Sequence, residues 1–156
     1  MKQTLLGKTL EELQQVALSV GLQKFAGKQL AEWLYVRRAS SFEQMTNISL
    51  KGRQALEEQY TIGRHEPVAE AVSKDGTKKY LFRVSGDEVK GDVFIESVYI
   101  PDNERATLCV STQAGCKMGC KFCMTGTLGF HGQLPVGEIL NQIFSIPDSD
   151  KLTNIV

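Results

Sequence analysis

The chain has no long apolar run, no net charge and only two histidines, and each lack removes a class of function. A membrane-crossing helix needs about 20 consecutive apolar residues, and no stretch here approaches that. The opening Met1-Lys2-Gln3-Thr4-Leu5-Leu6-Gly7-Lys8 meets charge too soon to be a signal-peptide core. A cytoplasmic location with no membrane partner is therefore expected. Lys plus Arg equals Asp plus Glu at 18 each, whereas an obligate nucleic-acid binder is usually basic. Only residues 1–66 carry a mild positive excess. His65 and His131 have no ligand spacing and are expected to be structural or solvent-facing. No cysteine lies outside Cys109–Cys123, so disulfides are not stapling distant loops as they do in small secreted domains. Repeats and low-complexity tracts are also missing. What remains, 42% apolar and 23% charged residues over 156 positions, is the composition of an ordinary folded protein.

The pattern of what is present changes once along the chain. Leu10, Leu13, Val16, Ala17 and Val20 recur at three- and four-residue spacing and predict a helix over 8–20, stopped by Gly21. A second helix is expected from Phe25 to Arg38, with Leu30, Ala31, Trp33 and Leu34 inward and Arg37 and Arg38 at its negative end. A third runs from Ser49 to Tyr60, capped between Thr46 and Leu50, with Leu50, Leu56 and Tyr60 as core contacts. Lys24, Lys28, Arg37 and Arg38 form a basic face suited to phosphates, or simply a solvated one.

From Pro67 the period drops to two. Val68–Val72 and Lys79–Val84 flank Asp75-Gly76-Thr77, a strong hairpin signal. A turn around Gly86 and Gly91 leads to a strand from Val93 to Ile100, stopped by Pro101, and then to a strand from Ala106 to Ser111. A glycine-rich loop from Gly115 to Gly132 follows, then a helix over Val136–Ile146 and a strand start at Leu152–Val156. Strand, loop, helix, strand is a βαβ unit and implies parallel pairing. The expected fold is α+β passing into α/β. It has a helical accessory domain at 1–66, a β-rich connector at 67–105 and the first βαβ of a larger domain at 106–156. A two-stranded parallel sheet cannot cover both its faces, so the chain reads as the N-terminal part of a longer protein.

The cysteines stand as Cys109-Val-Ser-Thr-Gln-Ala-Gly-Cys116-Lys-Met-Gly-Cys120-Lys-Phe-Cys123. Thiolates are the ligands of iron–sulfur clusters. Three of them, Cys116, Cys120 and Cys123, on a 4Fe-4S cluster leave one iron open for substrate. Gly115 and Gly119 permit a tight loop, and Met118 and Phe122 are placed to shield it. A zinc site using all four cysteines competes, but its six-residue gap fits poorly with short zinc knuckles. Buried free cysteines are the other alternative.

The spacing Cys116-x3-Cys120-Lys121-Phe122-Cys123 resembles the signature of the radical S-adenosylmethionine (SAM) superfamily. The wider stretch from Arg105 to Phe130 is similar to the adenine-C2 RNA methyltransferase family. Gly27-Lys28-Gln29-Leu30 before Trp33, and Phe42-Glu43-Gln44-Met45-Thr46-Asn47, resemble that family's accessory domain. The resemblance implies a truncated radical-SAM partial barrel, with S-adenosylmethionine bound at the open iron and cleaved reductively to a 5′-deoxyadenosyl radical. It implies methylation of C2 of an adenine in 23S rRNA and tRNA through a methylated cysteine beyond Val156. By position Cys109 matches the cysteine that resolves the protein–RNA adduct as a disulfide. It further implies a reducing electron donor such as flavodoxin, a monomer, and a chain inactive without the missing cysteine and glycine-rich cofactor motif. Methylation at C8 of the same adenine is the related alternative. A zinc-stabilised RNA-binding module without catalysis is the alternative from another class.

Glu96 breaks its strand's pattern. With period two it shares a face with Phe94, Val98 and Ile100. A carboxylate there is costly unless paired or used, and burial would raise its pKa towards a proton acceptor's. An edge-strand charge that discourages aggregation explains it equally well. The family resemblance tips the balance, because Glu96 matches the glutamate that takes the adenine C2 proton.

Overall fold

The computed structural model describes residues 2–86 and 89–156, which divide into two compact units, one ending at His65 and the other beginning at Glu66. No helix among the described residues is long and apolar enough to cross a membrane.

The first unit is helical. Strand β1 (Gln3–Thr4) pairs in parallel with β2 (Tyr60–Thr61), tying the chain's start to the end of this unit's last helix. Helix α1 (Leu10–Ser19) begins with a capping box. The Thr9 side chain accepts from the Glu12 N–H, and the Glu12 carboxylate accepts from the Thr9 N–H at 2.6 Å. Helix α2 (Ala26–Ala31) lies so close to α1 that a Cβ on Gly27 would sit 2.6 Å from the Gln14 Cα. The helix continues as a single π turn, Glu32–Val36, whose closing bond runs from the Arg37 N–H to the Glu32 carbonyl at 2.9 Å. Arg38, at φ 54°, then turns the chain left-handed and the Ala39 N–H reaches back to the Trp33 carbonyl. Helix α3 (Leu50–Gln59) is capped by Ser49, which accepts from the Gly52 N–H.

Leu5, Leu13, Leu30, Leu34, Met45 and Leu56 are fully buried at the centre, with Trp33, Tyr35 and Tyr60 packed around them. Leu10 and Leu50 correct the expected inner faces, being 43% and 64% exposed. Each is the first residue of its helix, where the turn projects past the packed face.

The second unit is built on a five-stranded sheet in the order β3-β4-β5-β6-β9. Its strands are β3 (Ala69–Val72), β4 (Lys78–Gly86), β5 (Val89–Asp102), β6 (Arg105–Cys109) and, last in the chain, β9 (Asn154–Ile155). The β3–β4 hairpin turns where expected. Asp75 accepts from the Thr77 N–H, and Gly76 supplies a φ of 84°. The turn expected near Gly86 falls on residues 87 and 88, about which nothing is described, while Gly91 belongs to β5.

Pro101 does not stop β5, which pairs on to Asp102. Strand β4 reaches only Tyr99, so no neighbour on that edge asks for the N–H that Pro101 lacks. The expected boundary between residues 105 and 106 falls in the β5–β6 hairpin of this one sheet.

Between β6 and β9 lie β7 (Gln113–Gly115), α4 (Met124–Thr127), β8 (Phe130–Gln133) and α5 (Val136–Phe144). Strands β6 and β9 pair in parallel, Thr107 with Asn154 and Leu108 with Ile155. The mixed α+β fold and the βαβ unit are therefore as the sequence led us to expect. Tyr80, Phe82, Val84, Ile95, Tyr99 and Leu108 form the core, and Ile139 and Ile143 of α5 pack on it.

Candidate cluster loop and its surroundings

Alternation along β5 sends Val93, Ile95, Ser97 and Tyr99 into the core and leaves Phe94, Glu96 and Ile100 exposed. Glu96 thus shares a face with the expected neighbours, but that face is open in this chain. The burial argued for its carboxylate is absent. It is about half exposed and faces the Lys79 ammonium at 3.4 Å. Cys109, the last residue of β6, pairs with Val98. It is half-buried, with its thiol free.

Beyond Cys109 the expected open loop proves to have a base. Strands β7 and β8 pair as an antiparallel ribbon that encloses the three remaining cysteines. The ribbon closes at Gly115, where the next residue's N–H, on Cys116, donates to the Gly129 carbonyl at 3.0 Å. Gly115 has φ 74°, and a Cβ there would lie 1.7 Å from the same carbonyl oxygen, so no other residue fits. Gly126 packs against the backbone of Cys120, where a Cβ would come within 2.8 Å of its N and O. The Cys123 thiol is pulled below its ordinary pKa by the Gly126 and Thr125 backbone N–H groups, which favour the thiolate.

Cys116 and Cys120 are half-buried, Cys123 is exposed, and all four thiols are free. Among the described residues no three His, Cys, Asp or Glu side chains converge as ligands for an ion. Met118 and Phe122, expected to shield the loop, are 79% and 94% exposed and shield nothing within this chain. His131 stays local, its Nε2 3.1 Å from the Leu128 carbonyl. In the helical unit Lys24, Lys28 and Arg37 are exposed, and Arg37 pairs with Glu32 while stacking on Trp33 at 4.6 Å.

Two features escaped the sequence. One is an open cavity of about 550 Å³ at the β5–β6 hairpin, lined by Tyr99, Pro101, Arg105 and Lys151, which holds none of the candidate residues. The other is Gln142, fully buried on α5 and bonded to Ser97, Ser111 and Glu138. A glutamine flanked by Ile139, Leu140 and Ile143 is the only signal that was available for it.

Comparison with known proteins agrees with this geometry. Residues 3–62 match the ribosomal RNA large subunit methyltransferase N-terminal domain. The crystal structure of a radical SAM methyltransferase from Sphaerobacter thermophilus superposes with a TM-score of 0.84 at 31% identity, covering 98% of this chain and 45% of that one. The fold is thus that of the corresponding part of a solved radical SAM methyltransferase. Over nearly all its length the chain is similar to the dual-specificity RNA methyltransferases called RlmN. It is 55% identical over 99% of its length to the probable RlmN of Phocaeicola vulgatus and 56% identical to that of Porphyromonas gingivalis, and it spans 43% of each. It is 43% identical to the RlmN of Geotalea uraniireducens, spanning 42% of it. The chain therefore covers less than half the length of these relatives.

Proposed function

We propose that this chain is the N-terminal part of a cytoplasmic, monomeric radical SAM enzyme that methylates C2 of an adenine in 23S rRNA and tRNA. The observation that carries the proposal is the Cys-x3-Cys-x2-Cys loop, free of disulfides and held by its β-ribbon between the two parallel strands of a βαβ unit. The donor set suits a 4Fe-4S cluster. It offers three free thiols, one with its pKa lowered, on a loop that Gly115 and Gly126 allow to fold tightly on its own backbone. Cys116, Cys120 and Cys123 hold the cluster, and metal binding supplies the energy that gathers them into one ligand set. When bound, the cluster and S-adenosylmethionine, fed by a donor such as flavodoxin, supply radical chemistry that no side chain can.

The chain's own residues do the rest. Glu96, open to the face that Phe94 and Ile100 share, takes the adenine C2 proton. Cys109 resolves the protein–RNA adduct. Its sulfur bonds to the methyl-carrying cysteine's sulfur, the S–C bond to the nucleotide breaks, and the released carbon takes the thiol proton. The basic face of the helical unit around Lys24 and Lys28 meets RNA phosphates.

The experiment is anaerobic reconstitution of the full-length enzyme with iron and sulfide, followed by mass spectrometry of the modified nucleoside. Roughly four irons per chain and 2-methyladenosine are expected. Cys116→Ser removes the iron, and Cys109→Ala leaves it in place. A colourless protein with one tight zinc, iron lost in the Cys109 variant, or 8-methyladenosine as product would each overturn the reading. The 156-residue chain alone is expected not to methylate RNA.

A further inference from the structure

The β5–β6 ladder ends at Val98 and Cys109. Continuing its register would set Ser111 opposite Glu96, but Ser111 does not complete the ladder with its backbone. Its N–H donates instead to Gln142 Oε1 at 2.8 Å, and its carbonyl accepts from Gln142 Nε2 at 2.8 Å. The side-chain amide thus takes the place of a neighbouring strand. The Ser111 hydroxyl turns the other way and donates to the Glu96 carbonyl at 2.7 Å.

Gln142 has no spare capacity. Oε1 also accepts from the buried Ser97 hydroxyl at 2.7 Å, and Nε2 also donates to the Glu138 carbonyl at 3.3 Å. Two donors and two acceptor sites are all used. A fully buried amide is costly to leave unpaired, so this arrangement specifies where α5, β5 and the chain leaving β6 meet.

We propose that Gln142 is a positioning residue, which peels the chain off β5 at Ser111 and so sets Cys109 and the root of the cysteine loop relative to Glu96. The role rests on the function proposed above but adds a residue that carries no chemistry of its own. Gln142→Met keeps the volume and loses both bonds to Ser111. Gln142→Glu keeps the shape, loses both donors and faces the Ser111 carbonyl with an oxygen. If the Met variant does not accumulate as folded protein, the Glu variant, which keeps the acceptor for the Ser111 N–H and loses the bond to its carbonyl, carries the test of adduct release.

Two readouts decide the matter in the full-length enzyme. The first, independent of activity, is hydrogen exchange at the Ser111 amide, expected to accelerate at least about tenfold in Gln142→Met because its acceptor is gone. The second is the covalent protein–RNA adduct, which persists when Cys109 is misplaced. Its release is expected to slow on the order of tenfold to a hundredfold, the scale of an ångström-sized misplacement, with iron content unchanged. Asp148→Ala serves as the control. It removes a buried group that bonds to Lys78, Tyr80 and Lys151 and none of the candidate site, so it lowers stability and leaves adduct release at the wild-type rate.

Wild-type exchange in Gln142→Met, or wild-type adduct release in both Gln142 variants, would overturn the proposal. So would equal adduct accumulation in Asp148→Ala, which would make the effect one of general destabilisation. If the wild-type enzyme forms no methylated adenine, the function fails instead, and Ser111 exchange still reads the clamp by itself.

Discussion

The two units keep polar groups out of their interiors to very different degrees. The helical unit has a core of aliphatic, methionine and aromatic side chains, and its polar work is done at the surface by the caps at Thr9 and Ser49. The sheet unit buries Ser97, Asn141, Gln142 and Asp148 among its apolar residues. A greasy core is forgiving, because any side chain of the right volume serves. A buried polar group demands its partners and so fixes geometry. The unit carrying the cysteine loop is the one that specifies, and the helical unit is the one that merely coheres.

The largest effect should come from breaking the greasy side of this contrast. Leu30→Ala, at a fully buried position, is expected to cost about 2–5 kcal/mol of the helical unit's stability. Trp33 is the only tryptophan and packs on that core, so its fluorescence during denaturation reports the loss. Ser111 amide protection, read in parallel, should not change.

The next effect sharpens the polar side. Asp148 is buried against Lys78 at 2.7 Å, with Lys151 and the Tyr80 hydroxyl beside it, and Lys78 foremost holds its carboxyl down at about 2. A carboxyl lowered in the folded state stabilises above its unfolded pKa and loses that contribution as pH falls through the folded value. The cluster should therefore give the sheet unit about 2 kcal/mol at neutral pH, fading between about pH 4 and pH 2. Denaturation at stepped pH should show this decline in wild type and not in Asp148→Asn.

Smaller still is the cap. Thr9→Ala should cost the helical unit about 1 kcal/mol, seen again through Trp33. Smallest is Lys79→Ala. Its ion pair with Glu96 is exposed on both sides, so its removal should shift stability by less than about 0.5 kcal/mol. A larger loss would mean that the face bearing Glu96 is better organised than its exposure suggests.

Much of this was legible in one dimension. The helix positions, the Asp75-Gly76 hairpin and the parallel βαβ follow from periodicity and turn chemistry, which are local. Leu10, Leu50 and Pro101 misled because the rules applied to them ignore where an element's neighbours stop. Leu10 and Leu50 extend past the packed face, and Pro101 past the end of β4. The β7–β8 ribbon was hidden by its shortness, since three or four residues carry too little periodicity to register as strand. Glu96 was placed on the right face of its strand. Whether that face is covered depends on what packs against the sheet, which no pattern along β5 can encode.

The sequence by itself determined the thiol spacing, the glycines that let the loop turn, and the family that the chain resembles, because each is a matter of residue type at fixed separation. The tertiary structure alone decided that Glu96 is open and that the loop has a ribbon at its base. It alone gave Gln142 a role, because hydrogen bonds from α5 to Ser97 and Ser111 exist only once helix and sheet have packed together.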